Sequence, residues 1–412
     1  MNRTKIFISA YACEPGLGSE IGVGWHWVRE MSRRFERWVL TRESNRHTIE
    51  PWIDAHPEFS GIHFIYFDLP KWARFWKRGL RGVRTYYNIW QRLTDRIVER
   101  TMKENGIRIF HHLTYGNALW PVSAYGSRQT FIWGPIGGLE TIPEDYSRHY
   151  SRKSRIIERL RRMTVSMAGR SASLKRRSRR ADLILCKTEL TRNLLPEDVR
   201  GRAVVFTDVA ADVDIPARTA IEAHTGLCLI AVGRLDAWRG FDIAILALAE
   251  ALKTSHDIRL AIVGNGIDRQ RLEALAVSLG VQDSVTFMGA VSQEQYRMLM
   301  AEADVVLNPS LKEGAVTVSF DAMAMGKPLV ALDTTGYTRY FRPGYSRVIP
   351  RGKRAETVKA FAEAILELRD PVLREAMGRR ASEASKSVSW SHHGREICDL
   401  IENTVVRNKF DN

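Results

Sequence analysis

Residues 304–333 read DVVLNPSLKEGAVTVSFDAMAMGKPLVALD, and this stretch decides the fold. DVVLNPS is an apolar run of strand length, KEGA a loop at its carboxyl end, VTVSFDAMAMG a helix closed by Gly326, and KPLVALD a second strand. Strand, helix and strand in that order make a right-handed crossover between parallel neighbours, buried on both faces. Two acids stand in an almost uncharged setting: Glu313 at the edge where the strand ends, and Asp321 one to two turns into the helix. A carboxylate at such an edge can hold sugar hydroxyls, a second can hold ribose hydroxyls, and the helix start faces phosphate. Two solvent-exposed acids at a chance spacing are the alternative.

The same alternation extends in both directions. GLCLIAVG (226–233), IRLAIVG (258–264) and VTFMG (285–289) precede the opening stretch, separated by helical segments at 240–252, 267–278 and 292–302. An earlier series runs through KIFISA (5–10), RWVLTR, IHFIYFDL, RIFHHL, QTFIWG and ADLILC (181–186). After KIFISA, Ile21, Trp25, Val28, Met31 and Phe35 fall at spacings of three and four, one face of a helix. Two series imply two doubly wound α/β domains of Rossmann-like type, with ligands at the carboxyl ends of the strands. The expected boundaries are 1–208, a linker at 209–224, and 225–389.

A chain of 412 residues is long for a single core, which agrees with two domains. Lys and Arg number 62 against 47 Asp and Glu, a net charge of +15 that calls for an anionic surface or substrate. Cys13, Cys186, Cys228 and Cys398 lie too far apart for a C-x-x-C site or a disulfide framework, which fits a reducing compartment. No apolar run reaches the roughly 18 residues of a membrane span. The amino-terminal run is short and flows into a glycine-rich turn, so it reads as a buried first strand rather than a signal peptide. A cytoplasmic protein is expected.

Each domain carries turns suited to an anion. CEPGLGSEIGVGW (13–25) puts Gly16 and Gly18 between the first strand and its helix, where backbone can approach a ligand. AVGRLDAWRGFD (231–242) puts Gly233, Arg234 and Arg239 at a helix start, a clamp for a diphosphate if both cations converge. Gly264-Asn265-Gly266 ends the next strand in the same way. A tight turn at each glycine pair, and two solvated arginines, are the competing readings.

Taken in order, ACEPGLGSEIGVGW, HHLTYG (111–116), WGPIGG (133–138), VGRLDAWRGFD, VGNG and SLKEGAVTVSFDAMAMGKPLVALDTTG resemble the GT-B glycosyltransferases of family 4 over nearly the whole chain. The resemblance implies two Rossmann-like domains facing a central cleft, with a final helix at about 390–412 packing back on the first. It also implies a retaining, metal-independent transfer from a nucleotide-diphosphate sugar, which is a co-substrate rather than a cofactor. Arg234 matches the family's diphosphate arginine, and Arg239 stands where lysine is usual. By the same resemblance Glu313 touches the donor sugar and Asp321 the ribose, with Gly314, Ala315 and Val316 completing the donor loop. The usual loop is Glu-Gly-Phe-Gly, and the usual second acid is glutamate. Many members carry a histidine just after the fifth strand. Gly134 stands there, and His111 and His112 are candidates to face the cleft, one of them at least serving the fold.

The first domain is also basic. KWARFWKRGLRG (71–82) spaces Trp72, Phe75 and Trp76 at helical intervals among Lys71, Lys77 and Arg78, the pattern of an interfacial helix on anionic lipid. From Arg148 to Arg180 there are thirteen Lys or Arg and one acid, Glu158. The alternative is a solvated surface over packed aromatics. Nucleic acid is the rival partner, but no helix-turn-helix, zinc-ligand or RNA-binding aromatic signature accompanies the charge, so none is expected. The expectation is a glycosyltransferase peripheral at the inner face of the cytoplasmic membrane, acting on a glycan or lipid-linked acceptor of the bacterial cell surface. A non-catalytic sugar-nucleotide binder is the second reading.

Overall fold

The computed structural model describes residues 3–77, 82–123, 126, 129–212, 226–312 and 316–410. The expected donor-loop residues Glu313, Gly314 and Ala315, the expected lipid contact Arg78, and residues 213–224 of the expected linker lie outside them.

Two parallel sheets organise the chain. The first contains β1 (Thr4–Ser9), β2 (Phe35–Thr41), β3 (Ile62–Tyr66), β4 (Ile109–His112), β5 (Thr130–Ile136), β6 (Leu183–Cys186) and β7 (Ala203–Val205) in the order β3-β2-β1-β4-β5-β6-β7. The second contains β8 (Leu227–Val232), β9 (Ile258–Val263), β10 (Val285–Gly289), β11 (Val305–Asn308), β12 (Leu329–Leu332) and β13 (Ser346–Ile349) in the order β10-β9-β8-β11-β12-β13. Every strand pairing is parallel, with Ile6 opposite both Arg37 and Ile109 in one sheet, and Ile230 opposite both Ala261 and Val306 in the other. In each sheet the strand order reverses at one point, between β1 and β4 and between β8 and β11. Loops diverge there, so the carboxyl ends of those strands open a crevice.

The chain divides into two compact units: Met1–Leu139, Met167–Asp208 and Trp390–Asn412 form the first, and Glu140–Ser166 with Val209–Ser389 the second. Residues 140–166 therefore depart from the expected boundary at 208. Ile142, Tyr146 and Tyr150 belong to the apolar core of the second unit, and the Tyr146 hydroxyl lies 2.8 Å from the Gly352 carbonyl and 2.7 Å from Thr357 Oγ1. The Arg354 amide donates to Asp145 at 2.6 Å. Apolar burial and these hydrogen bonds together outweigh proximity along the chain.

In the first unit, helix α1 (Ser19–Met31) follows the glycine-rich turn. It packs closely on a long carboxyl-terminal helix, Trp390–Phe410: a Cβ at Gly394 would stand 2.4 Å from the Glu30 side chain. His26 stacks on Trp390 at 4.6 Å, His393 stacks on Phe206 at 4.2 Å, and Arg34 pairs with Glu402 at 2.9 Å. The HHLTYG and WGPIGG motifs interlock beyond β4 and β5: the Gly137 amide donates to the Gly116 carbonyl at 2.7 Å, and Ala118 donates to Gly137 at 3.0 Å. A Cβ at Gly116 would stand 2.1 Å from the Pro135 carbonyl, so glycine is required by close approach of backbone.

Candidate active site

At the switch point of the second sheet three loops meet. The turn after β8 carries Gly233, Arg234 and Arg239 and leads into an apolar helix, Phe241–Leu252. The turn after β9 packs against it: the Leu235 amide donates to the Asn265 carbonyl, and a Cβ at Gly264 would stand 1.9 Å from the Gly233 carbonyl. Gly264 thus serves backbone packing between the two turns. The loop after β11 closes the group, with the Leu311 amide donating to the Trp238 carbonyl at 3.0 Å.

The two arginines differ in environment. Arg234 is exposed and held by Asp236, with Nε at 2.7 Å and Nη2 at 2.6 Å from the same oxygen. Arg239 lies over the Trp238 ring at 4.6 Å, and its guanidinium would be 3.5 Å from a Cβ at Gly233. Lys312, the last described residue before 313–315, also faces the Trp238 ring at 5.2 Å. Its ammonium binds both carboxylate oxygens of Glu158 at 2.6 and 2.9 Å. Burial, reinforced by neighbouring Arg161, lowers the Lys312 pKa to about 8, although Glu158 opposes the shift. Glu158 comes from helix α2 (Arg152–Ala168), whose Arg161 also donates to the Glu140 carbonyl at 3.1 Å.

Asp321 lies on helix α3 (Thr317–Ala324), preceded by buried Val316 at the cap. The carboxylate is buried and accepts the Tyr296 hydroxyl at 2.6 Å; burial raises its pKa to about 7, against the effect of that hydrogen bond. No hydrogen bond or ion pair links it to Arg234 or Arg239 among the described residues. A freely exposed acid is therefore excluded, and its partner Tyr296 had no separate signal in the sequence.

In the first unit Gly16 is exposed at φ +72° and Gly18 caps α1 in extended backbone. His111 and His112 are both buried, in keeping with histidines that serve the fold. His111 Nε2 lies 2.7 Å from the Gly134 carbonyl and His112 Nε2 3.1 Å from the Tyr87 hydroxyl. Burial lowers their pKa values to about 4 and about 3, so both are neutral at physiological pH. Gly134 lies inside β5, where a Cβ would stand 2.3 Å from the Leu185 carbonyl. It supplies backbone packing, and its carbonyl holds the histidine.

Sequence reasoning passed over the aromatic group at this unit's own switch point. Tyr11 follows β1 and Tyr115 follows β4, their rings 5.0 Å apart, and Tyr87 stacks on Tyr115 at 5.1 Å with Trp120 beside it. Tyr115 has φ +55°, a left-handed backbone rare for a bulky residue, and its amide donates to Glu20 at 2.8 Å. Half-buried Tyr115 and Trp120 offer ring faces of the sort that pack against sugars.

The 71–82 segment does not form the expected helix among its described residues. Lys71–Ala73 is one 3-10 turn; Arg74 then turns to Asp68 at 3.2 Å and Trp76 packs on Tyr86. Lys77 lies over that same tyrosine. Trp72 and Phe75 remain 78% and 75% exposed. Among the described residues no helix is long and apolar enough to cross a membrane, and no three His, Cys, Asp or Glu side chains cluster as metal ligands.

Residues 218–384 match the family described as "Glycosyl transferases group 1". The chain is 27% identical over 298 residues to the alpha-D-kanosaminyltransferase of Streptomyces kanamyceticus, covering 69% of this chain and 74% of that one. It is 32% identical over 185 residues to the phosphatidyl-myo-inositol mannosyltransferase of Mycobacterium leprae, covering 44% of this chain and 48% of that protein. The Anabaena protein HepE, solved in complex with UDP-glucose, superposes with a TM-score of 0.63 at 16% identity over 97% of this chain and all of the other. The two parallel-sheet units thus have the GT-B fold, and the stretch similar to the group 1 glycosyltransferases falls in the second unit.

Proposed function

We propose that this chain is a retaining glycosyltransferase that moves a sugar from a nucleotide-diphosphate sugar to a glycan or lipid-linked acceptor. The observation that carries this reading is the switch point of the second sheet, where the turn bearing Arg234 and Arg239 meets the 309–312 loop inside the stretch that matches the group 1 family. Bond cleavage builds negative charge on the departing diphosphate. Guanidinium groups already fixed beside it stabilise that charge without reorganising, and they do so without a divalent metal. The sugar passes through an oxocarbenium-like state. The acceptor attacks on the face the diphosphate leaves, and the departing phosphate takes the acceptor's proton. Glu313 is assigned to the donor sugar by resemblance, and Asp321, held by Tyr296, to the ribose.

Tyr115 and Trp120 are suited to stack an acceptor sugar. Exposed Trp72 and Phe75 beside Lys71 suit a peripheral position on the cytosolic face of a bacterial membrane, and the name of the mannosyltransferase relative supports a lipid acceptor. Calorimetric titration with UDP-, GDP- and ADP-sugars, followed by transfer of the labelled sugar, tests the reading. Binding to none of them would end it. One observation favours a non-catalytic sugar-nucleotide binder: Asp321 is buried and already engaged by Tyr296. That reading predicts binding with neither transfer nor hydrolysis.

A further inference from the structure

Helix α2 has an unusual distribution of polarity. One face turns Glu158, Val165 and Ala168 inward, and Glu158 is paired with Lys312. The face turned to water carries Ile156, Ile157, Leu160, Met163 and Met167, each between 52% and 61% exposed. Ile156, Leu160, Met163 and Met167 recur at spacings of four, three and four, which places them in one stripe along the helix. Arg152, Arg155 and Arg159, at three and four residues, follow one edge of that stripe. All three are exposed, and among the described residues none is paired with a carboxylate.

An ordinary surface helix turns its apolar stripe to the core and its charges to water. Here the inner face is already satisfied, and more than half of each side chain in the outer stripe is left to water. Five large apolar side chains bordered by a row of free cations match one environment closely. The boundary of an anionic bilayer accepts apolar side chains at acyl depth and guanidinium groups among the phosphates. Nucleic acid would engage the arginines and leave the stripe in water.

We propose that α2 lies on an anionic lipid surface, its stripe entering the acyl boundary and Arg152, Arg155 and Arg159 meeting headgroup phosphates. Ile156, Leu160, Met163 and the three arginines belong to the second unit, Met167 to the first, and the proposal does not depend on the sugar-transfer reading. The test is cosedimentation of the full chain with phosphatidylcholine vesicles, with and without phosphatidylglycerol, at low salt and at about 0.15 M salt. The I156S/L160S/M163S variant changes only outward side chains, and its melting curve verifies folding. Its partition onto anionic vesicles should fall by about a hundredfold or more. R152E/R155E/R159E should abolish the preference for phosphatidylglycerol, and W72S/F75S provides a separate arm for the other segment. Wild-type partition by the stripe variant would overturn the proposal, as would failure of the wild type to bind anionic vesicles. A stripe variant that loses self-association in sedimentation velocity but keeps its lipid binding would make the face a contact between copies instead.

Discussion

Glu158 and Lys312 are separated by 154 residues in sequence and joined by 2.6 and 2.9 Å contacts in the second unit. Both side chains are almost completely buried. The pair fixes the chain immediately before residues 313–315 against a helix from the first half of the sequence. A single acid in a run of thirteen cations is therefore a structural anchor for the loop after β11.

The energetics of this pair are asymmetric. Glu158→Gln leaves the Lys312 ammonium buried without its counter-charge and should lower stability by about 3–5 kcal/mol. The double variant Glu158→Leu/Lys312→Met removes both charges and should recover most of that loss in urea melts. Transfer activity should stay low in both, because the tether on the loop is gone in each.

Lys312 also sets a pH limit. Its folded pKa is about 8, below the ordinary lysine value. Between the two values the unfolded chain holds the proton and the folded chain does not, so this group makes stability rise with pH across that window. Activity should move the opposite way, falling as pH passes about 8 and the ion pair discharges. In Lys312→Arg the falling limb should disappear, because guanidinium keeps its charge. An unchanged limb in kcat would assign the titration elsewhere.

Asp321 gives the reverse dependence. Its folded pKa of about 7 exceeds the ordinary aspartate value, so its contribution is fully present below about pH 4 and lost as pH rises through 7. Asp321→Asn should flatten that decline in denaturant melts recorded from pH 4 to 8. Asp321→Ala should raise donor KM roughly ten-fold or more with a smaller change in kcat. Asp321→Glu should lower stability. An added methylene in this buried site must displace Tyr296, at about 1–3 kcal/mol.

The histidines make a negative prediction. His111 and His112 titrate at about 4 and about 3, so the pH profile of transfer should show no limb near 6.5 from either. His111→Phe should lower stability, by leaving the Gly134 carbonyl without its donor, and leave the pH profile unchanged. A limb near 6.5 that His111→Phe removes would return this residue to the chemistry.

Much of the fold was legible because parallel strands buried on both faces are continuous apolar runs. KIFISA, QTFIWG and IRLAIVG each lie on an observed strand. The edge strands β7 and β13 were not read: Ala203–Val205 is too short to stand out, and Ser346–Ile349 contains Arg347. Residues 140–166 were misassigned because sequence adjacency was the only guide. Ile142, Tyr146 and Tyr150, four apart, were the available clue to a second core. Trp72, Phe75 and Trp76 mimic a helical face, yet Arg74 turning to Asp68 and Trp76 packing on Tyr86 prevent one. The arginine pair was visible as residues, while the Asp236 clamp and the Trp238 platform required three dimensions.

Sugar transfer in EDTA, with the wild type beside Arg234→Ala and Arg239→Ala, tests the central claim most directly. The account predicts that one nucleotide-diphosphate sugar delivers its labelled sugar to a glycan or lipid-linked acceptor with the anomeric configuration kept. Each arginine variant should lose at least ten-fold in kcat/KM, the loss of one charged hydrogen bond of about 1.5–3 kcal/mol. Tight binding of the same donors with no transfer and no hydrolysis, or activity that requires added manganese, would contradict it.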